Sequence, residues 1–339
     1  MIVEEKYMRR ALELAAHGLG NVSPNPMVGA VIVSPDGRII GEGYHRRCGE
    51  GHAEVNAVAS VEDERMLYDS TMYVTLEPCS HYGKTPPCAK LIIDKKIPRV
   101  IVGAVDPNDK VCGRGIAMLR DAGVEVVTGV LADESRQLNA AFITAHSQHR
   151  PFITLKWAQS ADGYMDKVRT LNSGAAAISS PLGRLAVHRL RAVHDAILVG
   201  SGTAIADDPV LDSRLWGGRS PRPVILDRRG RINGDFKVLD RDPIIIRNHE
   251  GVGDILSQLY VCGINSVLVE GGSTVLRSFL DSGLWDVARV ETSNQAFGDK
   301  GSVHAPTVTS TPLKSYPIDH SIVTIYSDNP LVGKYTIAF

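Results

Sequence analysis

His52 and Glu54 stand two residues apart in GHAEVNA, and Cys79 and Cys88 bracket SHYGKTPP in EPCSHYGKTPPC. Two thiolates and an imidazole suit Zn²⁺ and leave a fourth position for water. Bound zinc brings the pKa of that water to roughly 7, so hydroxide forms at neutral pH. Glu54 lies close enough in sequence to His52 to take the water's proton and deliver it to a substrate. Two other readings use the same residues. A Cys79–Cys88 disulfide is geometrically possible but suits an oxidising compartment. A structural zinc closed by His81 as an extra ligand leaves the His-x-Glu pair unexplained.

His-x-Glu followed by Pro-Cys and a second Cys is the arrangement of the zinc nucleobase deaminases. Here eight residues separate the cysteines instead of the usual two. Cys79 must then sit in a loop before a helix, with Cys88 on its first turn. The inserted SHYGKTPP bulges near the metal and brings His81 and Lys84 within reach of a substrate. The remaining cysteines, Cys48, Cys112 and Cys262, are expected to be small buried or half-buried residues. Cys48, four residues before His52, stays open as a further ligand.

SPNPMVGAVIV, GEGYHRRCGEGHAEVNA, TLEPCSHYGKTPPC and GAVDPN…GRG occur in this order. Together they resemble the deaminase domain of the bifunctional riboflavin-biosynthesis deaminase/reductase family, over about residues 1–146. The resemblance implies a diaminopyrimidinone substrate carrying a phosphoribosylamino group, 2,5-diamino-6-(5-phosphoribosylamino)pyrimidin-4-one. It implies His52, Cys79 and Cys88 as zinc ligands, Glu54 as proton shuttle, and Asn25, His45, Lys84, Asp106 and Asn108 as pocket residues. Taken alone, Asn25-Pro26 and Asp106-Pro107-Asn108 could equally be plain turns. A flexible lysine at position 84 is apt for a phosphate.

The second half has no complete G-x-G-x-x-G. GSGTAI (Gly200 to Ile205) fails at its last position. Its glycines would still let a backbone approach a ligand closely. VEGGSTV repeats the logic, with a helix start whose amides favour a phosphate. With TLKWAQSADG and VHRLRAVHDAILVGSGTAIADDPVLDSR, these motifs resemble the reductase domain of the same family, over about residues 151–339. That domain is similar to dihydrofolate reductase and uses NADPH. The resemblance implies hydride delivery to the opened ribose carbon. It implies Ala158, Thr203, Asp207, Gly271 and Gly272 on the cofactor side, and Lys156, Arg191, Leu211, Arg214 and Glu270 on the substrate side. For Arg191 and Arg214 the physical case is a phosphate held by a guanidinium fork. Where the family commonly carries Ser-x-Trp, this chain has Ala175 and Ala177. An Ile178-Ser179 cap is kept, so the pocket is reshaped or another residue substitutes.

The elements that must position these residues follow from periodicity. Glu4 to His17 places Met8, Ala11, Leu12 and Ala15 at helical spacing. GAVIVSPDGRIIGEGYH reads as a hairpin turning at Pro35-Asp36-Gly37. Strand-like runs then alternate with helical ones: HAEVNAVASV, TMYVTLEPC, CAKLIIDKKI, RVIVGAVDPN, GIAMLRDAG and VEVVTGV. LADESRQLNAAFITAHSQHRP reads as one helix closed by Pro151, which sets the domain boundary near residues 146–150. A second series follows: PFITLKWA, PLGRLAVHRLRAV, DAILVGS, RPVILD, DPIIIRN, DILSQLYVCG, SVLVEGG, TVLRSFLDSG, VARVETSN and SIVTIYS. The expected fold is α/β throughout. It comprises an N-terminal cytidine-deaminase-like α/β/α domain (1–146) and a C-terminal dihydrofolate-reductase-like α/β domain (151–339).

Composition bounds the function. A length of 339 residues favours two cores over one. Net charge of −1 favours neither nucleic acid nor an anionic membrane as partner. No apolar run approaches the ~20 residues of a membrane span. The start, MIVEEKYMRRALELAAHG, lacks a signal-peptide pattern, and five cysteines leave one unpaired in a monomer. Both observations fit a reducing cytoplasm. The expected protein is a cytoplasmic homo-oligomer acting on a small phosphoribosylaminopyrimidine, with Zn²⁺ and NADPH as cofactors. Two alternatives remain at this point. One is a deaminase whose reductase domain is degenerate. The other is a tRNA-type deaminase, which would need a basic face and salt-sensitive RNA binding.

Overall fold

The computed structural model of the chain describes residues 3–82, 86–107, 112–170, 174–334 and 336. The chain divides into two compact units, the first ending at Gln148 and the second spanning His149–Val332.

In the first unit, α1 (Glu5–Ala16) buries the apolar face formed by Met8, Ala11, Leu12 and Ala15. Strands β1 (Gly29–Val33) and β2 (Ile39–Tyr44) form the antiparallel hairpin, with Gly37 at φ +84° in its turn. Next come α2 (Ala53–Ala59), β3 (Thr71–Leu76), α3 (Cys88–Asp94), β4 (Arg99–Ala104), α4 (Arg114–Asp121) and β5 (Glu125–Thr128). The sheet order is β2-β1-β3-β4-β5, with β3, β4 and β5 parallel. Every residue of β3 is buried, as helices on both faces of a sheet require. The expected single helix after β5 is two: α5 (Ala132–Leu138) and α6 (Ala140–Gln148). Asn139 breaks it. Its amide accepts from Met27 N at 2.8 Å and donates to Met27 O at 2.9 Å, as a paired backbone would.

In the second unit, β6 (Phe152–Gln159), β7 (Tyr164–Lys167), α7 (Pro181–Val193), β8 (Ala196–Gly200), α8 (Ser201–Asp207), β9 (Arg222–Leu226) and β10 (Ile244–Ile246) are followed by α9 (Val252–Val261), β11 (Ser266–Val269), α10 (Ser273–Ser282), β12 (Val287–Ser293), β13 (Gly301–His304), β14 (Pro312–Ile318) and β15 (Ser321–Tyr326). Eight strands run in the order β10-β9-β8-β11-β6-β12-β15-β14. The strands from β10 to β12 are parallel to their neighbours, and β15 and β14 add an antiparallel edge. Such a sheet binds ligands beyond the carboxyl ends of its parallel strands. Ser180, one residue after the expected cap, starts α7 by accepting from Gly183 N at 3.0 Å.

Residues Gly333, Lys334 and Thr336 group with the first unit, where Thr336 Oγ1 donates to Gln137 O. Cys48, Cys112 and Cys262 are exposed, against the expectation of burial. Cys112 precedes the start of α4 and Cys262 ends α9, where the chain turns at the surface.

Candidate active sites

The first site is built on the ends of three elements. His52 is the extended residue before α2, and Glu54 lies in that helix's first turn. Their position depends on how closely α2 lies on β2. A Cβ on Gly43 would fall 2.3 Å from Ala57 N and 2.6 Å from Ala53 O, so only glycine permits the contact. Asn56 Nδ2 then donates to Tyr44 O and Gly51 O, locking the helix start to the strand end. Cys79 follows β3, and Cys88 opens α3 behind Pro87.

These pieces bring His52 Nδ1 within 3.7 Å of Cys79 Sγ and 3.3 Å of Cys88 Sγ. The three donor atoms lie within 4.8 Å of one another, the one such cluster among the described residues. Hydrogen bonds from Cys88 and His52 pull the Cys79 thiol down to about 4, while Cys88 is pushed up by that same bond. Two sulfurs and an imidazole brought this close form a donor set that fits a thiophilic cation such as zinc. All five cysteines are unbridged, which removes the disulfide reading. Glu54 is 3% exposed, and burial, followed by the Cys79 charge, raises its carboxyl to about 7.

Around this cluster lies a cavity of about 270 Å³. Asn25, His45, Glu54, His81 and Asp106 line it. His45 Nδ1 meets the Gly51 carbonyl at 3.1 Å, so that nitrogen carries the proton and Nε2 accepts from Asn25 Nδ2 at 3.2 Å. Burial holds His45 below its ordinary pKa, which keeps this neutral form. Lys84 and Asn108 lie outside the described residues. Cys48 is absent from the ligand cluster. Phe142 and His146 also line the cavity, their rings 4.1 Å apart. Sequence reasoning placed His146 at the domain boundary. The i,i+4 spacing of the two was the signal that could have found them.

In the second unit the turns β8–α8 and β11–α10 face each other. A Cβ on Gly272 would lie 3.2 Å from Thr203 Oγ1, and one on Gly271 would lie 3.4 Å from Gly200 N. Thr203, Gly271 and Gly272 thus meet at the carboxyl ends of adjacent parallel strands. Asp207, one turn after Thr203 at the end of α8, pairs with Arg169 at 2.6 Å.

A cavity of about 280 Å³ joins Lys156, Ala158 and Glu270 with Ala176, Ala177 and Ser179. The segment that lacks the family's tryptophan is therefore a wall of this cavity. Trp157 and Met165 line it too. Arg191 grips Glu270 with both prongs, at 2.9 and 2.8 Å, and gives its third nitrogen to Asp212 O. Its fork is engaged by a carboxylate rather than held open for a phosphate. Arg214, exposed, pairs with Asp212 at 2.6 Å, and Leu211 is buried in a left-handed turn at φ +56°. Glu270 is held down to about 2: Arg191 outweighs the burial that would raise it. Lys156 is lowered by burial. Sequence reasoning missed Arg289 and Glu291, which sit in register beside Lys156 and Ala158. They are fully buried, 3.7 Å apart.

Residues 1–104 match the family model for the cytidine and deoxycytidylate deaminase zinc-binding region. Residues 151–318 match the model for the RibD C-terminal domain. The chain is 40% identical over 308 residues to the riboflavin biosynthesis protein RibD of Aquifex aeolicus, covering 84% of this chain and 85% of the relative. It is 36% identical to RibD of Escherichia coli K12, covering 84% and 85%. The crystal structure of a diaminohydroxyphosphoribosylaminopyrimidine deaminase/5-amino-6-(5-phosphoribosylamino)uracil reductase from Thermotoga maritima superposes with a TM-score of 0.85 at 39% identity. That match covers 95% of this chain and 97% of the other. The RibD structure from Acinetobacter baumannii gives 0.84 at 32% identity.

Fold and sites together define a two-domain enzyme, a zinc-dependent deaminase joined to an NADPH-dependent reductase. The chain belongs to the RibD family, the bifunctional deaminase and reductase of riboflavin biosynthesis.

Proposed function

We propose that the first unit deaminates 2,5-diamino-6-(5-phosphoribosylamino)pyrimidin-4-one and that the second reduces the ribosyl group of the product to a ribityl chain. The observation that carries this reading is the convergence of His52, Cys79, Cys88 and buried Glu54 on one cavity. His52, Cys79 and Cys88 would hold zinc, which would supply there a water acidified to near neutrality. Glu54 moves the proton. Buried in the cavity two residues from His52, it is placed to accept a proton from that water and return it to the departing amine. Asn25, His45 and Asp106 orient the pyrimidine, with Lys84 and Asn108 as further substrate contacts.

In the second unit NADPH supplies the hydride. Ala158, Thr203, Asp207, Gly271 and Gly272 bind it. Lys156, Leu211, Arg214 and Glu270 bind the sugar phosphate side, and Arg191 serves it by holding Glu270. Glu270, fixed by Arg191, orients a sugar hydroxyl, and Arg214 is the guanidinium nearer solvent for the phosphate. No helix among the described residues is long and apolar enough to cross a membrane. We place the enzyme in the cytoplasm as a homo-oligomer without a nucleic-acid partner, to be checked by fractionation and light scattering.

A coupled assay on purified, zinc-loaded protein tests the whole reading. Ammonia should appear first, and NADPH should then be consumed on the deaminated intermediate alone. A folded, zinc-loaded enzyme that releases ammonia without oxidising NADPH would overturn the second step.

A further inference from the structure

Glu77 directly follows β3, two residues before Cys79. Its carboxylate is 4% exposed and accepts four backbone hydrogen bonds. Oε2 takes Asp106 N at 3.3 Å and Gly113 N at 2.9 Å. Oε1 takes Gly115 N at 2.9 Å and Ile116 N at 3.2 Å. Four donors use about all the lone-pair sites a carboxylate offers.

The donors come from both ends of one connection. Asp106 leaves β4, and Gly113, Gly115 and Ile116 form the cap and first turn of α4. Amides in a helix's first turn have no partner within the helix, and the helix field favours an anion there. The contact is tight. A Cβ on Gly115 would come 1.9 Å from Pro78 O, so α4 lies directly on the backbone between Glu77 and Cys79. One strand end therefore carries both a metal ligand and the anchor of the segment that presents Asp106 to the cavity.

We propose that Glu77 is a positioning residue for deamination: through Asp106 it fixes where the pyrimidine lies relative to the metal centre. This rests on the reading of Asp106 as a substrate contact. The carboxylate is the requirement. A glutamine of the same shape presents one oxygen and an NH₂ group to four N–H donors, leaving at least one donor unmet.

The test is a double-mutant cycle on the full-length enzyme with Glu77→Gln and Asp106→Ala. Glu77→Gln should keep zinc at the wild-type stoichiometry and leave the reductase constants unchanged. Its KM for the pyrimidine should rise about 10- to 100-fold, as losing one or two hydrogen bonds to a charged group implies, with a smaller change in kcat. In the Asp106→Ala background the same change should cost less than about twofold. An unchanged KM in Glu77→Gln would overturn the proposal. So would loss of zinc, because Glu77 would then be holding the ligand strand rather than the loop. Full additivity beside an impaired Asp106→Ala would refute Glu77 alone. An Asp106→Ala enzyme with unchanged KM would refute the Asp106 contact and, with it, this route of action.

Discussion

His52 Nδ1 stands 3.3 Å from Cys88 Sγ, although the two residues are 36 apart in sequence. One is the last extended residue before α2 and the other the first residue of α3. Two helix starts thus converge on a single point, with Cys79 arriving from β3. The division of labour follows. Cys88→Ser should lose both zinc and deaminase turnover. Glu54→Gln should keep zinc and lose about 10²–10⁴-fold in deaminase kcat, the usual share of a general acid/base. Metal analysis beside an ammonia-release assay separates the two. Near-normal deamination by Glu54→Gln would remove the shuttle assignment.

Gly43 is a more distant control on the same point. Gly43→Ala puts a methyl group into the backbone of α2, with nowhere to go but outward. Overpacking of this kind costs about 1–3 kcal/mol. Displacement of α2 also moves His52 and Glu54. Denaturant unfolding should show the loss of stability, and zinc should leave the variant at a lower chelator concentration. Wild-type zinc retention would show that α2 can shift without moving its N-terminus.

The Arg191–Glu270 pair gives the second unit a pH signature. Glu270 is held at about 2, below the ordinary 4.5. A depressed carboxylate contributes stability that is fully present above the unfolded pKa and is lost as pH falls through the folded one. The window therefore runs from about pH 4.5 down to about pH 2, and the shift corresponds to roughly 3 kcal/mol. Arg191→Leu should leave a buried, unpaired carboxylate and cost about 3–5 kcal/mol at neutral pH. Unfolding curves across that window, for wild type and Arg191→Leu, should converge as pH falls. A constant difference between them would show that the pair does not titrate with folding.

Asn139 ties α6 to the segment carrying Asn25. Its two bonds to Met27 are backbone-like and half-buried. Asn139→Ala should cost about 1–3 kcal/mol, since it strands the Met27 amide. It should also raise the deaminase KM by loosening the Asn25 side of the cavity. Thermal melts and steady-state kinetics check the two effects separately, and an unchanged KM would confine Asn139 to a role in stability.

The apolar runs of β1, β3, β4, β6, β8 and β11 were legible because buried strands in a helix-covered sheet must be continuously hydrophobic. Of the strands that escaped detection, β13 and β14 are largely exposed and β7 is short and half-buried, and Pro312 and Pro317 mark β14 as an edge. Asn139 hid a helix break because its reason lies 112 residues away, at Met27.

For the sites, the sequence marked His52, Glu54, Cys79 and Cys88 as candidates for one zinc centre, through their donor chemistry and the motifs that resemble the deaminase family. Donor chemistry is a property of each side chain and persists in the linear chain. It also marked the glycine-rich turns after β8 and β11. Only the tertiary structure decided that Arg191 is spent on Glu270, that Phe142 and His146 wall the deaminase cavity, and that Arg289 and Glu291 lie buried beside Lys156. Only there does Glu77, an unremarked acid before a proline, become the acceptor for four amides. These are pairings between groups distant in sequence. A carboxylate's partners are set by which strand and helix ends meet, and that is fixed by how each unit packs its helices on its own sheet rather than by any spacing in the chain.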